Sequence, residues 1–178
     1  RNFIQTELFP FMQKNYRVND FRLLIGHSLG GYFALKTLYN HPKTFNGYVA
    51  HDPSIWFNNK ELLNLYQNLE NHSFENRFLM ISQVGESQNA DHLRDHYQSI
   101  KKVDERLKSS KNKSLNYHYK QYVDEEHGSV PMIGSIDYLR WQFDGYRVNI
   151  KEIPNQPNLV KDSFEAISRK LNLSLIHI

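Results

Sequence analysis

Ser28 is the residue from which chemistry is most easily read, because it stands inside Gly26-His27-Ser28-Leu29-Gly30, with Gly31 next in line. The pentapeptide fits the G-x-S-x-G nucleophile elbow, which needs an apolar strand before the serine and a helix after it. Both are in place, as "RLLIG" precedes the serine and "GGYFALKTLYN" follows. A serine at so sharp a turn sits in a strained backbone region where neighbouring side chains would collide. Gly26, Gly30 and Gly31 are therefore expected to give clearance. The gain is a hydroxyl exposed above a helix start, where the Leu29 amide can meet a developing oxyanion and the helix dipole favours negative charge.

A serine hydroxyl is a weak nucleophile and needs a histidine base, which in this motif's setting follows an acid and lies well after the serine. Among nine histidines, His127 in "VDEEHGSVP" meets that order. It follows the fourth expected strand and precedes a helix that Pro131 can start, on a loop at the carboxyl edge of the sheet. His27 lies inside the elbow, where its neighbouring position turns it away from Ser28. His92 and His96 are four apart on a helix beside Asp91 and Asp95, a spacing that could hold a metal. No third ligand is evident, so the pair reads as a solvated helix face and no metal is expected. For the acid, Glu86 in "SQVGESQNAD" is preferred, just beyond the third strand, where a carboxylate could orient the histidine. Asp91, which looks like a helix cap, Asp124 beside His127, Asp52 at the end of the second strand, and a Ser-His dyad with no acid remain alternatives.

These groups need a scaffold that brings strand ends together. Phe3, Ile4, Leu8, Phe11 and Met12 recur at helical spacing over residues 2–15. "FRLLIG", "FNGYVAHDPS", "RFLMISQVG" and "SLNYHYKQYV" read as four strands. Helices follow each of them: "GGYFALKTLYNHP", the segment carrying Leu62, Leu65 and Leu69, a charged stretch over 91–109, and "VPMIGSIDYLRWQF". Strand and helix alternating four times predicts an α/β domain with a mainly parallel sheet and helices on both faces. "RVNIKEIPNQPN" reads as a linker, and "LVKDSFEAISRKLNL" as a last helix. The expected division is 1–145 for the catalytic domain and 146–178 for linker and helix.

Composition narrows the function classes. The 178 residues are 39% hydrophobic, enough for one core. A net charge of +3 is spread along the chain without the basic stripe of a nucleic-acid surface. The absence of cysteine rules out a disulfide frame, a thiolate nucleophile and a cysteine-bound zinc, and leaves the compartment open. No apolar run approaches the ~20 residues that span a bilayer. The only low-complexity stretch, "KSSKNKS" at 108–114, is read as a solvated loop.

The combination resembles the esterase branch of the α/β-hydrolases, with esterase D-like, enterochelin esterase-like and feruloyl esterase-like members. "GHSLGG" looks like that branch's elbow, "DPSIWFNN" at 52–59 is similar to its loop after the next strand, and "EHGSVP" followed by "YLRWQF" resembles its histidine segment. The resemblance implies a serine esterase working through an acyl-enzyme, with no cofactor and a small-molecule ester as substrate. Ser28 would be nucleophile, His127 base and Glu86 acid, with Leu29 in the oxyanion hole and His27, Trp56 and Phe57 beside the substrate. The last helix resembles the segment that follows the hydrolase domain in bacterial members carrying tetratricopeptide repeats. The family has several strands before the elbow, including the loop that completes the oxyanion hole. This span is therefore expected to be part of a longer chain, with an uncovered sheet edge at the Ser28 strand. The alternative reading is a binding module that keeps the fold without catalysis.

Overall fold

The structure, a computed structural model, describes residues 1–85 and 94–171. Glu86, Asp91 and His92 lie outside the described residues. The chain divides into two compact units, one of residues 23–138 and one of residues 1–22 together with 139–178.

The first unit is built on four parallel strands, β1 (Leu23–His27), β2 (Gly47–His51), β3 (Arg77–Val84) and β4 (Leu115–Tyr122), in spatial order 1-2-3-4. Between them run α2 (Leu29–Asn40), α3 (Phe57–Leu65) and α4 (Arg94–Ser109), and α5 (Val130–Gln142) follows β4. All four expected strands are present, each with its helix. Parallel pairing needs such crossovers and leaves β2 buried along its whole length.

Register decides which helix covers which face. Tyr48, Leu79 and Tyr117 stand side by side across β2, β3 and β4. On that face Tyr48 Oη donates to the His41 carbonyl at the end of α2, and Tyr117 Oη donates to Asp104 of α4 at 2.8 Å. His51, Ser82 and Lys120 form the opposite-facing row, which α5 covers. There His51 Nε2 lies 2.9 Å from Ser135 Oγ, and Lys120 Nζ donates to Asp137. Helices thus lie on both faces. Because the strands are parallel, the residues following each one emerge at a single edge, where open α/β sheets bind ligands. β1 ends the sheet, and Ile25 on it is 44% exposed.

The second unit contains the helical segment expected at 2–15. It is wound as a π-turn over Ile4–Leu8 and continues as α1 (Phe9–Asn15). The Arg22 guanidinium stacks on the Phe9 ring, and Phe21 meets Phe143 edge-on. "RVNIKEIPNQPN" forms only a short 3₁₀ turn at Ile150–Glu152, and α6 (Leu159–Leu171) follows it. No described helix is long and apolar enough to cross a membrane.

Candidate active site

Ser28 sits between β1 and α2 at φ 56°, ψ −115°, a backbone region that residues with a side chain rarely occupy. Three main-chain bonds hold it there, its N–H to the His51 carbonyl and the Tyr32 and Ser54 N–H groups to its own carbonyl, each 3.0 Å. Gly26 is required, since a Cβ there would stand 2.0 Å from the Gly30 carbonyl oxygen. At Gly31 a Cβ would meet Pro53 at 2.9 Å. Gly30 departs from expectation: a Cβ there would meet nothing within 4 Å, so clearance rests on the other two. The Ser28 hydroxyl lies 3.1 Å from that of Ser54, which is almost fully buried.

Asp52 follows β2 in a left-handed conformation, φ 39°, with its N–H bound to the Ser82 carbonyl at 2.7 Å. That twist turns a 1% exposed carboxylate across the strand ends. Its Oδ2 accepts from His127 Nδ1 at 2.6 Å and from His96 Nε2 at 3.0 Å, and Oδ1 takes the Val84 N–H at 3.4 Å. Burial pushes the Asp52 carboxyl up, but the bonds from His96 and His127 outweigh burial and hold it below the ordinary aspartate value.

His127 reaches this carboxylate from the β4–α5 loop. Ser129 Oγ accepts the Glu126 N–H at 2.9 Å, and the Val130 N–H closes on the Glu126 carbonyl as α5 begins. Val130 is fully buried and anchors the far side. The His127 side chain is half exposed, its Nδ1 committed to Asp52 while the ring borders a cleft of about 630 Å³. Ser28, Asp52, His96 and Trp56 line the same cleft.

The expected site residues divide accordingly. Ser28, His127 and Trp56 meet in the cleft, with Trp56 48% exposed. Phe57 packs edge-on against Tyr32 and Trp56. The turn behind these two rings is left-handed through Asn58, Asn59 and Lys60. Glu61 holds it, accepting from Asn58 at 2.7 Å, Tyr32 at 2.5 Å and Lys36 at 2.9 Å. The His27 ring lies over His127, centroids 4.3 Å apart, and burial and then His127 push its pKa down. Leu29 opens α2, so its amide is the first of that helix.

His96 overturns its expected place on a solvated face. It belongs to a buried stripe with Ile100, Val103 and Leu107, at spacings of four, three and four. That periodicity was readable in the sequence. Ser54 carried no such signal.

Asp52, His96 and His127 also offer three ligand atoms within 4.8 Å of one another. A zinc ion bound at about 2.0–2.1 Å would hold tetrahedral ligand atoms roughly 3.3 Å apart. The 2.6 and 3.0 Å separations are shorter, and fit ring N–H donors pointing at one carboxylate oxygen. The set is hydrogen-bonded, and its protons satisfy it.

Comparison with known proteins agrees with this architecture. Residues 1–94, more than half of the chain and the part carrying Ser28 and Asp52, match the Putative esterase family. A siderophore enterobactin esterase of Emericella nidulans is 44% identical over 64 residues, 35% of this chain and 19% of that protein. A siderophore triacetylfusarinine C esterase of Aspergillus fumigatus is 31% identical over 121 residues, 62% of this chain and 41% of that one. The crystal structure of an IroE-like serine hydrolase from Shewanella oneidensis superposes with a TM-score of 0.74 at 26% identity, covering 96% of this chain and 54% of the other. The chain thus spans about half of that structure's length and less of the two curated relatives. On the family match and the shared architecture, the chain belongs to this esterase family and has the α/β-hydrolase fold.

Proposed function

We propose that the protein is a serine hydrolase of carboxylic esters in which Ser28 is the nucleophile, His127 the base and Asp52 the orienting acid. The observation that carries the proposal is the buried Asp52 carboxylate on His127 Nδ1, in the cleft that Ser28 lines. An Nδ1–H donated to Asp52 leaves His127 Nε2 as the unprotonated nitrogen, the tautomer a base needs. Ser28 Oγ attacks the ester carbonyl carbon as Nε2 takes its proton. The carbonyl π-bond closes onto oxygen, and the resulting oxyanion is received by the Leu29 amide at the start of α2. Collapse expels the alcohol, protonated by His127, and leaves an acyl-serine. Water, deprotonated by the same nitrogen, releases the acid and restores Ser28. Through both steps Asp52 stabilises the imidazolium without taking its proton.

The substrate class that fits best is an ester-linked siderophore. The names of the curated relatives support it, as does a half-exposed Trp56 on the cleft wall, a flat apolar face for a large ligand. The test is to incubate the protein and its Ser28→Ala variant with a ferric catecholate trilactone, a hydroxamate triester and a short nitrophenyl ester, and to follow products by mass spectrometry. Cleavage of a siderophore that is lost in the variant is expected. Turnover of the nitrophenyl ester alone would remove the substrate class, and unchanged turnover by Ser28→Ala would remove the mechanism.

A further inference from the structure

Asp52 is shared. Two ring nitrogens converge on the same oxygen, His127 Nδ1 at 2.6 Å and His96 Nε2 at 3.0 Å, while a triad needs only the first. His96 comes from α4, in a separate part of the sequence from the nucleophile and the base, and its ring stands edge-on to that of His127 with centroids 5.9 Å apart. It is about nine-tenths buried, and its Nδ1 has no hydrogen-bond partner among the described residues. Its one polar contact among the described residues is thus the one to Asp52, and that contact calls for the tautomer in which Nε2 carries the proton and Nδ1 does not. A neutral histidine in that form is a donor of fixed direction.

Such a donor acts on the reaction through the carboxylate. Asp52 is fixed by three N–H groups on two oxygens, so it cannot swing away when His127 moves toward substrate. The His96 bond also engages part of the negative charge on Oδ2, leaving less of it to favour protonated His127. We infer that His96 is the fourth member of the catalytic network, a positioning residue that holds Asp52 Oδ2 between two ring donors and limits how strongly the carboxylate stabilises the His127 imidazolium. The inference rests on the reading of Ser28, His127 and Asp52 as the catalytic set.

The sign of the effect separates this role from simple packing. Without the His96 donor, Oδ2 turns wholly to His127, the imidazolium is favoured, and the base stays protonated to higher pH. Among the described residues, His27 from the end of β1 packs against His127, and Glu125 and Glu126 of its own loop line the same cleft; these stay in place when His96 changes. The experiment is the pH profile of kcat/KM for nitrophenyl butyrate with the wild type and three variants. His96→Phe keeps a ring without a donor, His96→Asn is too short to reach, and His96→Gln places an amide N–H where Nε2 stands. For Phe and Asn the acidic limb should move up by about 0.5–1 pH unit, with kcat reduced roughly tenfold and KM little changed. His96→Gln should keep the wild-type limb. If Phe does not fold, the contrast between Asn and Gln decides alone. An unmoved limb in Asn or Phe, or a Gln variant that behaves like Asn, overturns the role of His96 while Ser28→Ala and His127→Ala remain inactive. Retained activity in those two variants overturns instead the catalytic set on which it rests.

Discussion

His127 Nδ1 stands 2.6 Å from an Asp52 carboxylate that is 1% exposed, at the end of the strand directly after the one that leads into Ser28. The proposed acid thus follows β2, ahead of the β3 end where Glu86 was expected. In the proposed mechanism this pairing sets the His127 tautomer through a group that water hardly reaches.

Asp52→Asn should therefore be severe. An amide in place of the carboxylate can accept only through its oxygen and gives no charge to the imidazolium, and the equivalent change in a well-studied serine protease costs about 10⁴-fold in kcat. We expect a loss of roughly 10³–10⁴ in kcat with the fold retained, and less than about threefold for Glu86→Gln. Steady-state kinetics on the two variants, with circular dichroism as the folding control, make the comparison. A large loss in Glu86→Gln beside a small one in Asp52→Asn would reassign the acid.

Much of this was legible beforehand, and the reasons differ by residue. Ser28 and the order of strands and helices could be read because glycine spacing and apolar runs are local signals. The place of His127 in the cleft could be read because loop position and motif order restrict it. Asp52 was visible only as the end of a strand, since its contact with His127 depends on a φ of 39° that turns the carboxylate sideways. His96 was expected on a solvated face because Asp91 and Asp95 flank it, although it belongs to a four-three-four stripe with Ile100, Val103 and Leu107. Contacts such as Ser28 with Ser54 are set by packing between distant segments, and no spacing announces them.

The elbow glycines should differ sharply in tolerance. Gly26→Ala would drive a methyl group into the Gly30 carbonyl at 2.0 Å, backbone against backbone, with no flexible side chain to yield. Its cost should exceed the ~1–3 kcal/mol typical of overpacking and show as insoluble or unfolded protein. Gly30→Ala meets open space and lies in a helix, so it should leave stability unchanged or raise it by up to about 1 kcal/mol. Urea denaturation of both variants tests the pair, and equal effects would contradict the packing described.

Turnover should be indifferent to chelators. Asp52 Oδ2 stands closer to the His127 and His96 nitrogens than ligand atoms around zinc stand to one another, at hydrogen-bond distances. Overnight dialysis against EDTA, followed by assay with and without added zinc, should return the starting rate. A loss restored by zinc would mean that the three side chains open to take a metal and that the hydrogen-bonded arrangement is not the working one.

Behind the site, His51 gives the fold a dependence on pH. The ring is fully buried, with Nδ1 2.6 Å from Ser82 Oγ and Nε2 2.9 Å from Ser135 Oγ, two hydroxyls that can serve a neutral imidazole as donor and acceptor. Burial, and then the nearby His27, push its pKa from 6.5 down to about 4. Between those values the unfolded chain binds a proton that the folded chain refuses, so stability falls as pH falls through that window and levels off below about 4. The drop corresponds to about 3 kcal/mol at most. His27, His72 and His118, also shifted down, add to it with the same sign. Urea midpoints at pH 7 and pH 5 should show the protein markedly weaker at pH 5. His51→Gln, which retains one donor and one acceptor but cannot titrate, should narrow that difference while lowering stability at pH 7. A variant with the full wild-type difference would assign the pH dependence to the other histidines.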